Sequence, residues 1–172
     1  MTAADDFDEF VAARSPSLLT AAWLLTGDWH RAEDLLQTAL AKAYLRWSSI
    51  HPGGQEAYVR RILMNTYATW WRRAWTSERP TRTPPEPPTR RSQDTQLEAV
   101  EMRQDLLRAL ADLTRRQRAT VVLRFYFDLS ETATAATLDC SVGTVKSQTS
   151  RALARLRQSP VLRSLREGID RE

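Results

Sequence analysis

The chain of 172 residues has one cysteine, Cys140, so no internal disulfide is possible. Two histidines, His30 and His51, cannot build a metal-ligand cluster, and neither a metal nor a cofactor is expected. No apolar run approaches the roughly 20 residues of a membrane span. The N-terminus is acidic (Asp5, Asp6, Asp8, Glu9), the opposite of a secretory signal. The expectation is a cytoplasmic protein with no membrane insertion. There is no Gly-rich phosphate loop and no carboxylate pair beside a nucleophile, which argues against an enzyme acting on nucleic acid. No stretch alternates with a strand period, and no repeat is present. Lysine is scarce too: the 25 basic residues are Arg except for Lys42 and Lys146. That bias is as consistent with genome composition as with selection for phosphate contacts.

What is present is enough apolar material for packed cores, 42% with six Trp, and an uneven distribution of charge. Residues 1–56 carry 4 basic and 8 acidic groups, and residues 57–91 carry 8 and 2. Residues 92–139 carry 6 and 8, and residues 140–172 carry 7 and 3. Two basic segments separated by acidic ones suggest two polyanion contacts and two surfaces for another partner.

Helical signals run along most of the chain. A short amphipathic helix is expected from Ala4 to about Ala13, with Phe7, Phe10 and Val11 on one side. Ser15-Pro16 reads as a new start, an N-cap followed by Pro at the first helical position. Leu18, Leu19, Ala22, Trp23 and Leu25 follow at helical spacing until Gly27. Asp28 caps a third helix, Trp29 to Trp47, burying Ala32, Leu35, Leu36, Ala39, Leu40, Ala43 and Tyr44 and exposing Glu33, Asp34, Gln37 and Thr38. Pro52-Gly53-Gly54 breaks the chain within the loop from Ser48 to Gln55. A helix from about Glu56 to Trp75 then buries Tyr58, Val59, Ile62 and Leu63. Five prolines within ten residues (Pro80, Pro84, Pro85, Pro87, Pro88) mark Ser77 to Thr95 as an extended linker. It divides the chain into residues 1–76 and 96–172. Beyond it, Gln96 to Leu113 is helical, with Leu97, Val100, Leu106, Leu107 and Leu110 inward. Thr114 caps the next helix, with Arg115, Arg116 and Gln117 in its first turn and Val121, Val122, Leu123 and Phe125 behind. The tail from Ser159 forms at most one weak helix.

Two stretches carry candidate nucleic-acid residues. In the first, Arg60, Arg61, Arg72 and Arg73 are interleaved with Asn65, Thr66, Tyr67, Thr69, Trp70 and Trp71. Rings that stack on unpaired bases and guanidiniums that hold a backbone are what single-stranded nucleic acid needs. Core packing of the Trp residues beside solvated arginines is the other reading. The second stretch is Ser130 to Arg157, two helices joined at Asp139-Cys140-Ser141, with Ser130 and Ser141 as N-caps. Val142, Val145, Thr149, Ala152, Leu153 and Leu156 form the apolar stripe of the second helix. Its other face shows Ser141, Thr144, Lys146, Ser147, Gln148, Ser150, Arg151 and Arg155, with almost no carboxylate. Such a face suits a DNA major groove. An ordinary helical hairpin with a solvated basic face is the alternative.

Taken together, the ordered stretches LLTGDWHRAEDLLQTALAKAY, AYVRRILMNTYATWWRR, the Pro-rich segment and LTRRQRATVVLRFYFDLSETATAATLDCSVGTVKSQTSRALARLR resemble an extracytoplasmic-function (group IV) sigma factor of the sigma-70 family, in its SigE-like group. The resemblance implies an all-α fold of two small domains, sigma2-like and sigma4-like, joined by the linker. It implies that Glu33, Asp34, Leu35 and Gln37 meet the β′ clamp helices of core RNA polymerase. The Arg60–Arg73 helix and the Ser48–Gln55 loop would open the −10 element and hold a flipped base, with Asn65 at the family's base-contacting Asn. The second domain would bind the β-flap tip and read double-stranded DNA at −35. An anti-sigma factor is a further partner that the resemblance allows; a homo-oligomer is not expected. The sequence departs from the family at Thr38 (usually Glu), Asp139 (usually Gly) and Gln148 (commonly Arg). A stand-alone helix-turn-helix regulator is the alternative, and it leaves the Arg-Trp helix without a purpose.

An extended linker predicts that limited proteolysis cuts first between Ser77 and Thr95. Resistance there, with cleavage elsewhere, contradicts it.

Overall fold

The apolar stripes of this sequence become helix faces, and its small polar residues close the helix ends. The computed structural model describes residues 3–77 and 95–160. Most of the Pro-rich linker, and the tail after Pro160, lie outside the described residues. The described elements are α1 (Ala3–Thr26), α2 (Trp29–Tyr44), α3 (Gln55–Ser77), α4 (Thr95–Ala111), α5 (Arg115–Val121), α6 (Glu131–Leu138) and α7 (Val142–Gln158). A short 3-10 turn, Trp47–Ser49, follows α2, and a wide π turn, Val122–Tyr126, follows α5.

The caps fall where the sequence predicts. Asp28 Oδ1 accepts from Arg31 N at 2.8 Å, and Gly27 takes the left-handed φ of +72° that ends α1. Thr114 and Gln117 form a reciprocal capping box at α5. The Ser130 hydroxyl accepts from Ala133 N and the Ser141 hydroxyl from Thr144 N, both at 3.1 Å. Each such cap stabilises its helix by about 1 kcal/mol.

One expected break does not occur. Helix α1 runs through Pro16 as a single element of 24 residues rather than two helices meeting at Ser15. Pro16 cannot donate to the Ala12 carbonyl, but Ala12 and Ala13 are exposed, so water can satisfy that acceptor. Both ends of α1 are anchored. At its start Phe7 and Phe10 meet Trp47 with ring centroids 4.9 and 5.0 Å apart, and Trp47 Nε1 donates to Asp6 Oδ2 at 2.8 Å. Trp47 belongs to the turn after α2, which closes three residues before its predicted end.

Helices α1, α2 and α3 pack together as the first half, and α5, α6 and α7 as the core of the second. Leu18, Leu25, Leu35, Val59 and Leu63 are fully buried in the first half, and Val122, Leu123 and Val145 in the second. Burying a side chain of this size contributes about 2 kcal/mol. The Pro-rich linker joins two halves that pack against each other in the structure. Leu110, Leu113, Ala119, Val122 and Leu123 join the same buried cluster as Leu18, Leu25 and Leu63. Two inward assignments are corrected: Tyr44 is 52% exposed and Leu106 38%. Phe125 is 56% exposed. Tyr44 ends its helix, and the wide turn carries Phe125 off the α5 face so that only Val122 and Leu123 point in.

Asp139, where the resemblance implies glycine, takes φ +52°, and Cys140 N bonds back to Ala135 O at 3.0 Å, a Schellman-type ending of α6. A side chain in this conformation is strained, and a carboxylate opposes the negative end of the α6 dipole. Asp139→Gly is expected to raise stability by up to about 1 kcal/mol, and Asp139→Val to lower it by more than about 1 kcal/mol. Urea denaturation checks both; a destabilised Asp139→Gly contradicts the account.

Candidate nucleic-acid interface

The ten candidates on α3 separate into three groups. Arg61, Asn65 and Arg72 are exposed. Spaced 4 and 7 residues apart, they share one face at about 100° per residue. Thr69 lies beside them, its hydroxyl donating to Asn65 O at 2.8 Å and accepting from Arg72 Nη2 at 3.4 Å. The second group turns inward. Thr66 and Tyr67 are 2% and 3% exposed, which removes them from any contact with DNA in this arrangement. Lys42 Nζ donates to the Thr66 hydroxyl at 3.2 Å, tying α2 to α3, and Tyr67 OH donates to Leu25 O at 3.1 Å. Trp70 is half-buried and packs against the core. Arginines flank Tyr67 in the sequence, but at 3.6 residues per turn it lies over Leu63 on the buried side. The side chains of Trp71 and Arg73 lie outside the described residues.

Arg60 belongs to the third group. Its side chain is only 11% exposed, pairs with Glu56 at 2.9 Å, and sits 4.7 Å over the Phe127 ring of the other half. Glu56 also meets Arg14 at 3.3 Å. The loop after α2 comes alongside. Arg46, Ile50, His51, Arg60 and Arg61 line a groove of about 810 Å³, whose opposite wall is Leu129, Ala133, Ala136 and Thr137. Arg46 joins the wall that carries Arg60 and Arg61, and the sequence marks it only as a cation preceding the loop.

On α7 every candidate remains accessible. Thr144, Gln148, Arg151 and Arg155 fall within a strip about 60° wide along the helix. Val145 and Ala152, about a quarter turn round the helix from Thr144, are buried, as the apolar stripe predicts. Ser141 and Thr144 share a hydroxyl–hydroxyl bond of 2.9 Å at the cap, and the Ser147 hydroxyl donates to Thr144 O at 3.0 Å. Lys146 lies about 160° round the helix from Thr144, away from the strip and 3.7 Å from Glu131 of α6, and Ser150 is exposed about 120° from Thr144. Gln148, Arg151 and Arg155 are thus the long side chains of the strip without a partner among the hydrogen bonds and ion pairs of the described residues.

The α2 face is of opposite character. Glu33, Asp34 and Gln37 are exposed together. Leu35 is fully buried and cannot touch a partner directly; its position, one residue on from Asp34, turns it about 100° into the core. The same outer face ends in Tyr44 and Leu45, the latter 80% exposed. At the seam between the halves, partial burial lowers the Arg115 guanidinium pKa, Tyr67 raises it, and the like charge of Arg118 lowers it further. No described residues form a group that could hold a metal ion, and no described helix is long and apolar enough to cross a membrane.

This arrangement has relatives. Residues 10–77 match Sigma-70 region 2, and residues 103–156 match Sigma-70, region 4. The chain is 44% identical to the RNA polymerase sigma-E factor of Streptomyces coelicolor over 161 residues, 93% of this chain and 89% of that protein. It is 31% identical to the ECF RNA polymerase sigma factor EcfG of Rhodopseudomonas palustris, over 91% and 86% of the two chains. Among solved structures, the sigma factor RpoE of Bartonella quintana, in complex with the anti-sigma factor NepR, superposes with a TM-score of 0.70 at 28% identity. It covers 92% of this chain and 97% of RpoE. CnrH, solved with the cytosolic domain of CnrY, shares the fold with a TM-score of 0.64 at 22% identity, over 88% and 84% of the chains. The chain therefore belongs to the extracytoplasmic-function sigma factors of the sigma-70 family, which bind core RNA polymerase and direct promoter-specific transcription.

Proposed function

We propose a division of labour among the three faces. The α7 strip reads the −35 element in the major groove. Arg61, Asn65, Arg72 and the loop with Arg46 and His51 engage the −10 strand. Glu33, Asp34 and Gln37 bind the β′ clamp helices, and the second half meets the β-flap tip. The protein works in the cytoplasm as a specificity subunit with no chemistry of its own. The observation that carries this reading is the strip Thr144–Gln148–Arg151–Arg155, a row of hydrogen-bonding and cationic side chains without a carboxylate on an accessible helix face. The fold shared with RpoE in its NepR complex supports an anti-sigma factor as a further partner. A stand-alone regulator would use the region 4 match and leave the region 2 match idle.

Asp34 is exposed on a helix whose other side is core, so Asp34→Arg is expected to abolish polymerase binding without unfolding the chain. Competition for core polymerase against the parent protein measures this. A folded variant that competes normally contradicts the α2 assignment.

On α7, an amide can bond both edges of adenine but carries no charge for a phosphate. Gln148→Ala should cost roughly 1–3 kcal/mol and relax preference at one −35 position. Arg155 lies two turns further along, where the groove falls away. Arg155→Ala should weaken all sequences about equally and lower the salt slope by about one unit. Transcription on a promoter library randomised across the −35 element separates the two. Unchanged preference for Gln148→Ala, or altered preference for Arg155→Ala, contradicts this docking.

A further inference from the structure

The last turn of a helix leaves carbonyls without helical partners. At the end of α1 the Leu25 carbonyl takes two donors, Tyr67 OH from α3 at 3.1 Å and Arg118 Nη1 from α5 at 2.9 Å. Nε of the same Arg118 donates to Leu110 O, in the last turn of α4, at 2.9 Å. One guanidinium thus joins the C-terminal ends of two helices from opposite halves, where the helix dipoles favour a cation. A second bond crosses the seam nearby: Tyr126 OH donates to Ser17 O at 3.0 Å. A third contact is Arg60 over the Phe127 ring at 4.7 Å. All three tether the segment between Arg118 and Phe127 to the first half.

These contacts have a consequence for the −10 surface. Arg60 is drawn away from solvent, and Arg61 faces a groove whose far wall is α6 and the residue leading into it. In this arrangement α6 forms the wall facing Arg60 and Arg61, whereas the α7 strip is open. We propose that Arg118 and Tyr126 form an intrachain latch that keeps the halves closed in the free protein, so that opening precedes full engagement of polymerase and −10 DNA. The gating part rests on the sigma-factor reading, while the latch itself is a property of the free chain.

The test uses the full chain carrying Cys140→Ser, with spin labels at Ala12→Cys on α1 and Ala154→Cys on α7, both exposed sites. Electron-paramagnetic distance measurement on the free protein is expected to give one narrow, short distribution. Arg118→Gln, which loses a charge-assisted bond, should raise the open-to-closed ratio about tenfold. Tyr126→Phe should raise it a few-fold, and because Tyr126 is partly exposed it leaves the packing of the second half intact and guards against simple misfolding of the Arg118 variant. If the competent state is a small fraction, unlabelled variants should bind core polymerase more tightly by the same factors. A long, broad distribution in the parent chain overturns the latch. So do folded variants that stay as closed as the parent. Open variants with unchanged polymerase affinity overturn the gating. Failure of the parent itself to bind polymerase would instead strike the sigma-factor reading, with the distances still judging the latch.

Discussion

The end of α1 is the point on which the rest of the arrangement depends. Gly27 turns the chain with φ +72°, Asp28 starts α2, and Thr26 braces the corner by donating to Ala22 O at 2.8 Å. That tight corner holds α1 and α2 side by side and stacks Trp23 on Trp29 at 5.5 Å. It also leaves the Leu25 carbonyl free of a helical donor. Tyr67 fills one of its two acceptor directions and so fixes α3, and Arg118 fills the other and so fixes the second half. Leu25 itself is fully buried in the cluster the halves share. A polar group at the edge of a large apolar contact sets geometry more than it adds energy, because a displaced half leaves specific donors without partners.

The charge map takes on meaning once it is placed on this frame. The acidic first segment contributes Asp6 to the Trp47 anchor and Glu56 to the arginine bridge, so part of its charge is structural. What remains outward on α2 is Glu33 and Asp34. The first basic segment is likewise split: Arg60 is spent on Glu56 and Phe127, and Arg61 and Arg72 stay outward. The last segment keeps Arg151 and Arg155 exposed, while Lys146 leans on Glu131. Exposed pairs of this kind contribute little to stability.

Much of this was legible in the residues themselves. Local chemistry is legible: Asp28, Thr114, Ser130 and Ser141 all cap the helices they precede, because a cap needs only the next three residues. The α7 stripe was equally clear, since a 3.6-residue period alone decides which side is buried. The misreadings involve partners distant in sequence. Pro16 looked like a start because the sequence does not show that Trp47, 31 residues on, anchors the first turns of the same helix. Thr66 and Tyr67 looked like DNA ligands because their partners, Lys42 and Leu25, lie far upstream. Leu35 was assigned both to the core and to a partner contact, and only burial separates the two. Arg60 over Phe127 joins residues from opposite sides of a linker, a pairing that no local pattern encodes.

The central claim is that this chain gives core RNA polymerase its choice of promoter. Transcription in vitro by purified core enzyme with and without the protein, on fragmented genomic DNA, with every start site mapped, tests it most directly. The account predicts discrete new start sites that share one sequence element near −35 and another near −10. Start sites with no common upstream element, or the same starts as core enzyme alone, would contradict it.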